Sequence, residues 1–412
     1  MTRSIWVQFT GLAAQHNAVN IGQGFPDYGP EDYVVKALAD VASDPNSRNL
    51  YQYTRGFGHP ALVNQLGKLY TELLGTKIDP MNNILITVGG YLALFHTFCG
   101  YLNEGDEAIV IEPFFDCYEP QIQFAGAKPV FAPLKLKKKG YSGEMATTAE
   151  FCLDFEELEA KITSKTKMIV VNNPNNPIGK LYTLDELLQI AKIAKKHDLL
   201  VVSDEVYEWL VYPPHQMIRF ATLPGMYERT ITIGSAGKTF STTGLKTGWA
   251  IGPEKLLEPL RMVHQNCVYT CPTVVQEAIA RSFDFELRRG LDSVDCYFNK
   301  MPLELVAKRD KMARFLKSAG LEPILPESGY FMVADFSKLD WPRDSFGDLS
   351  EPADFRFVRW LCEKKKLAGI PTSAFYGPEH KSMGENYIRF CFFKKEETLD
   401  AAERILRGFQ KS

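Results

Sequence analysis

Between about residues 60 and 290, short unbroken apolar segments alternate with longer amphipathic ones, and this rhythm constrains the chain most. "NILITVGG", "DEAIVIEP", "AKPVFAPL", "KMIVVNNP", "LLVVSDEVY" and "RTITIGS" read as strands with no polar face. Strands of that kind are buried on both sides, as in a mainly parallel sheet covered by helices. "ALVNQLGKLYTELLG", "YLALFHTFCGYL" and "TLDELLQIAKIAKKHD" supply helices between them, the last opened by a capping box of Thr183 and Glu186. The expectation is an α/β fold. After about residue 300 the texture changes to a long charged helix and the segments "YFMVADF", "DFRFVRWLCEKKK" and "YIRFCFF", which suggest a smaller α+β domain. The boundaries read as an arm over 1–30 that packs with the small domain, a large domain over 31–295 and a small one over 296–412.

Ligands of open α/β sheets collect at the carboxyl ends of the strands. Here those ends carry Gly89-Gly90-Tyr91, Pro113-Phe114-Phe115, Asn173 to Asn176, Asp204-Glu205 and Ser235 to Lys238. Their small, polar and aromatic character argues for one shared site.

Bulk properties exclude several partners. With 412 residues and a formal net charge of −3, nothing draws the chain electrostatically to nucleic acid or an anionic membrane. Its apolar runs are strand-sized, far short of a bilayer span. The cysteines are scattered without a C-x-x-C pair, so they read as free, mostly buried thiols rather than disulfides or zinc ligands. That points to a reducing compartment, cytoplasmic, or mitochondrial where a leader has been removed.

The stretch "ITIGSAGKTFSTTGLKTGWAIGP" carries two lysines, Lys238 and Lys246, among Gly, Ser and Thr. "GKT" imitates the end of a P-loop, but Thr232 stands where the first glycine is needed, so a nucleotide cradle fails. A carbonyl cofactor fits more of the strand ends. Pyridoxal 5′-phosphate (PLP) needs a lysine amine, a carboxylate on its ring nitrogen, donors for its phosphate and phenolate, and an apolar wall. Lys238 is the lysine, with room left by Ala236 and Gly237; its alternative is an ordinary surface lysine. Asp204, ending an apolar strand, wants a cationic partner, or else caps a following helix. Tyr207 and Asn176 can hold the phenolate, although "NNPNNPIG" is also a plain turn sequence. Ser235, Lys246 and the amides at Gly90-Tyr91 suit the phosphate, and Phe115 can cover the ring or be simple core.

"NPNNPIGK", "SDEVY" and "SAGKTFSTTGLKTGW" resemble the fold-type I aminotransferases of class I/II, and the likeness runs along nearly the whole chain. "GQGFPDY", "QYT", "TVGGYLALF", "EPFFDCYEP" and "YIRFCF" narrow it to the kynurenine aminotransferase, glutamine transaminase K and cysteine-S-conjugate β-lyase subgroup. The resemblance implies a large domain with a mostly parallel seven-stranded sheet. It makes Lys238 the Schiff-base lysine and general base, Asp204 the partner of the ring nitrogen, and Asn176 and Tyr207 the phenolate ligands with Asn172 beside them. Gly90, Tyr91, Ser235 and Lys246 would surround the phosphate, and Phe115 would stack on the ring. Arg389 would grip the substrate carboxylate, with Trp6, Gly24 and Tyr91 lining its side chain. The subgroup is homodimeric, so Tyr53 would reach the partner's phosphate and Tyr269 the partner's substrate pocket. Thr270 departs from relatives with Phe-His at 269 and 270, which bears on substrate preference. The implied reaction is a ping-pong transfer of the amino group of kynurenine, glutamine or an aromatic amino acid to a 2-oxo acid. β-Elimination from cysteine conjugates, or PLP binding without catalysis, are the alternatives.

Overall fold

The computed structural model describes residues 4–137 and 145–411. Its main sheet has the spatial order Ile84–Thr87, Gly248–Ile251, Thr230–Ser235, Leu200–Asp204, Thr166–Asn172, Glu107–Glu112, Lys128–Leu136, Phe151–Leu153. From Thr230–Ser235 through Lys128–Leu136 all neighbours are parallel. Five of the six apolar segments are buried along nearly their whole length, as their lack of alternation predicts; Lys128–Leu136, next to the sheet edge, leaves Lys128 exposed and Val130 and Phe131 half-buried. The seven strands expected are extended by Phe151–Leu153, three residues added antiparallel at the edge.

Gly248–Ile251 lies antiparallel to both its neighbours, with Gly248 opposite Thr87 on one side and Ser235 on the other. The strand therefore begins where its neighbours end. Lys246, just before it, arrives at the same edge of the sheet as Gly89 and Ser235. Glycine is required at 248, because a Cβ there would lie 2.4 Å from the backbone of Gly89 and Gly90.

Helices Pro60–Leu74, Gly89–Tyr101 and Leu184–Lys196 form where the amphipathic segments place them. Leu184–Lys196 opens on the Thr183–Glu186 capping box, each side chain bonding the other's backbone. Pro60–Leu74 ends at Gly75 in the left-handed region. The smaller sheet is antiparallel, in the order Glu322–Ile324, Phe331–Asp335, Tyr387–Cys391, Ile370–Pro371. The arm joins this part of the molecule: Val19–Asn20 pairs with Leu367–Ala368, and helix Ile5–Gln15 packs on helix Ala353–Lys365. Cys117, Cys271, Cys296, Cys362 and Cys391 are buried free thiols, whereas Cys267 is exposed. Among the described residues no His, Cys, Asp or Glu group could hold a metal, and no helix is long and apolar enough to cross a membrane.

Candidate active site

A cavity of about 250 Å³ opens at the carboxyl edge of the main sheet. Trp6, Gly24, Gly90, Tyr91, Phe115, Asn172, Asn176, Asp204, Tyr207, Ser235, Lys238, Lys246 and Arg389 all line it. Tyr53 and Tyr269 do not; they are 81% and 57% exposed.

Lys238 sits in the single turn Ala236–Thr239 that follows strand Thr230–Ser235. Its Nζ donates to the Tyr330 hydroxyl at 2.8 Å and faces the Gly24 carbonyl at 3.4 Å. Burial pulls its pKa down to about 8, so near neutral pH about a tenth of the amine is already unprotonated. Asp204, at the end of the adjacent strand, is 2% exposed. It caps no α-helix; the Tyr118 hydroxyl donates to Oδ2, and the Val206 amide makes a long contact of 3.4 Å to Oδ1. Burial raises its pKa to about 6, while the Tyr118 bond and nearby Lys238 favour the carboxylate.

Asn172 is scaffold as well as lining. Its Nδ2 donates to the Asp204 carbonyl at 3.0 Å and its Oδ1 accepts from the Asn176 amide at 2.7 Å. This fixes the "NNPNNPIG" turn against the Asp204 strand and frees the Asn176 side chain, whose Oδ1 accepts from Arg389 Nη1 at 2.9 Å.

Lys246 occupies the left-handed region with φ 47°. Its ammonium stands over the first residues of helix Gly89–Tyr101: a Cβ on Gly89 would lie 3.3 Å from Nζ. A cation and the free amides of a 13-residue helix thus converge on one spot, the arrangement that holds a phosphate.

Arg389 is fully buried in strand Tyr387–Cys391. Nη2 donates to the Gly22 carbonyl at 3.2 Å, and Nε has no partner among the described residues. Phe331 lies 3.9 Å from the guanidinium carbon, with Phe375 and Trp6 at 5.0 and 5.1 Å. Burial lowers its pKa to about 10, which still leaves it cationic at neutral pH. No carboxylate forms an ion pair with it among the described residues. A buried cation of this kind is costly unless an anion joins it.

The sequence reading missed Tyr118, Tyr330, Phe331 and Asp116. Asp116 accepts from Trp6 Nε1 at 2.7 Å and so seats the arm over the cavity mouth. Phe115 meets Tyr91 edge-on at 6.3 Å, giving the opening an aromatic rim. Tyr118 and Asp116 lie within the quoted "EPFFDCYEP", and that motif was the available signal. Tyr330 had none, since its role depends on a fold contact across 92 residues.

The sequence profile of "Aminotransferase class I and II" matches residues 16–405. The chain belongs to this aminotransferase family. Kynurenine–oxoglutarate transaminase 3 of Bos taurus is 51% identical over 408 residues, 99% of this chain and 88% of that one. Human kynurenine–oxoglutarate transaminase 1 is 48% identical, over 98% and 95%. Among solved structures, Bna3p of Saccharomyces cerevisiae matches with a TM-score of 0.92 at 34% identity, covering 100% of this aminotransferase and 97% of that chain. N-succinyldiaminopimelate aminotransferase of Mycobacterium tuberculosis matches at 0.86 and 32%, covering 99% and 100%. The fold is therefore shared by enzymes named for different substrates.

The donor set fits PLP, the cofactor this family implies. A half-buried amine, a buried carboxylate and a cation over a helix N-terminus surround one cavity, as an aldehyde, a ring nitrogen and a phosphate require.

Proposed function

We propose that this aminotransferase uses PLP to move the amino group of kynurenine, glutamine or an aromatic amino acid onto a 2-oxo acid. The observation that carries the reading is Arg389, a buried guanidinium with an open Nε in the same cavity as the Lys238 amine. A planar fork at that position suits an α-carboxylate. The names of relatives about half identical over nearly the full length support the choice of kynurenine and 2-oxoglutarate.

When bound, PLP supplies an aldehyde for the amino group and an electron-poor ring that stabilises negative charge at the substrate Cα. Lys238 would carry the cofactor and then move the proton at Cα, a task for which a pKa near 8 is well placed. Asp204 would keep the ring nitrogen protonated, and burial makes its charge worth more there than in water. Tyr207 and Asn176 would orient the phenolate oxygen, with Gly90, Tyr91, Ser235 and Lys246 holding the phosphate. Phe115 would cover the ring. Trp6, Gly24 and Tyr91 would exclude water around the substrate side chain and favour large, uncharged ones.

Two experiments test this. Initial rates over a panel of amino acids and 2-oxo acids should be highest for kynurenine, glutamine and aromatic donors, with thiol release from cysteine conjugates followed alongside. Lys238→Ala should abolish turnover, and borohydride should trap cofactor on the Lys238 peptide only in the parent protein. Turnover by the variant, or an unlabelled Lys238 peptide, would overturn the assignment.

A further inference from the structure

The Tyr330 hydroxyl is 2.8 Å from Lys238 Nζ and 2.8 Å from the Gly24 carbonyl oxygen. A carbonyl only accepts and a phenol has one proton to give. That proton goes to Gly24, so at the other contact Lys238 is the donor and Tyr330 the acceptor. The long 3.4 Å contact from Nζ to the same carbonyl occupies a second N–H direction. A neutral amine has two N–H bonds and one lone pair. With both N–H directions taken by Tyr330 and Gly24, the lone pair is left for the remaining tetrahedral position, on a side chain that lines the cavity.

The phenol oxygen is held where it is from several sides. Tyr330 is 1% exposed and meets Phe331, Tyr207 and Phe393 at ring distances of 4.7, 5.2 and 5.4 Å. Its carbonyl accepts from the Phe392 amide at 3.1 Å; the preceding Gly329 donates to Leu210 at 2.7 Å and accepts from the Tyr212 hydroxyl. Gly24 is equally confined, since a Cβ there would lie 2.5 Å from the Phe331 ring.

We propose that Tyr330 is a positioning residue for the proton-transfer lysine: its oxygen fixes the direction of the free Lys238 amine, and its bond to Gly24 ties that direction to the arm. This rests on the transaminase reading. In the step concerned the Cα–H bond breaks, Cα keeps the electron pair, and the proton bonds to the Nζ lone pair. Tyr330 neither gives nor takes a proton; it sets where the lone pair points.

Tyr330→Phe keeps the ring and removes the oxygen. In the cofactor-free protein, the pH dependence of Lys238 acetylation by acetic anhydride, read by peptide mapping, reports the amine directly. Loss of an acceptor that favours the ammonium should lower its midpoint by about half a pH unit or more. In the loaded enzyme, kcat should fall about tenfold or more while the amino-acid KM stays within about threefold. Thermal unfolding checks that the variant is folded. An unchanged midpoint overturns the proposal, as does an unchanged kcat or a change confined to KM, which would make Tyr330 only a wall of the substrate pocket. The acetylation arm needs no cofactor, so it still reads the Tyr330–Lys238 bond if the Lys238→Ala experiment defeats the transaminase reading.

Discussion

Arg389 commits Nη1 to Asn176 and Nη2 to Gly22, and these bonds aim the rest of its fork into the cavity. Lysine at 389 would keep the charge but not the planar pair of donors, and it could not satisfy Asn176 and Gly22 together. We expect Arg389→Lys to raise KM for both amino acid and 2-oxo acid by about 10–100-fold, the worth of a charge-assisted bidentate contact. A primary amine without a carboxylate should be turned over no worse by the variant than by the parent. Equal loss with that amine in steady-state kinetics would sink the carboxylate role. At this scale the sequence was partly legible. Asp204 could be found because it ends an apolar strand, and Lys238 because it follows one in the next turn, where a charged side chain is conspicuous. The hydroxyls that hold them could not: Tyr118 is 86 residues from Asp204 and Tyr330 is 92 from Lys238. The expected cationic partner of Asp204 is, within the chain, a neutral phenol.

Helix Thr273–Arg289 holds the start of helix Pro60–Leu74 through a small polar cluster. The His59 amide donates to Gln276 at 2.7 Å, and its ring bonds Glu277 Oε2 at 3.1 Å and Thr54 at 2.8 Å. Arg281, one turn on, donates to Glu277 Oε1 at 2.8 Å. The His59 bond and then Arg281 pull the Glu277 pKa from 4.5 to about 2. The folded chain thus binds this proton less readily than the unfolded one, so the contribution is complete above pH 4.5 and is lost as pH falls from there towards 2. We expect Glu277→Gln to be less stable than the parent near neutrality, with the two converging through that acid window. Denaturant midpoints measured at several pH values check it, and parallel curves would contradict it. Helix Pro60–Leu74 was readable from periodicity, and so was the Thr183 cap, whereas helix Thr273–Arg289 was not read from the sequence. Strand Gly248–Ile251 was not, because four residues beside a Gly- and Thr-rich turn look like part of the turn. Only pairing with Thr230–Ser235 and Ile84–Thr87 makes them a strand.

At the scale of the whole molecule, Tyr53 and Tyr269 stand exposed outside the cavity. Their rings meet edge to face at 5.5 Å on the surface, and Tyr269 holds φ at 68°, a conformation that costs a bulky residue on the order of 1–3 kcal/mol. Strain kept at an exposed aromatic pair outside the cavity is explained if both side chains belong to a second subunit's site. In a two-fold dimer each would be offered reciprocally. We expect the protein to sediment as a dimer, and Tyr53→Ala to weaken cofactor retention. The decisive test mixes two crippled proteins. A Lys238→Ala subunit has an intact Tyr53, and a Tyr53→Ala subunit has an intact Lys238. If Tyr53 serves the neighbouring site, each mixed dimer contains one complete site and one doubly damaged site. Random reassociation of equal amounts makes half the dimers mixed, so activity should return to about a quarter of the parent's. If Tyr53 serves its own chain, both sites of every mixed dimer are damaged and unfolding and refolding the proteins together restores nothing. The same mixture made with Tyr269→Ala separates the two tyrosines, since a substrate-pocket role should appear in KM and a phosphate role in cofactor affinity.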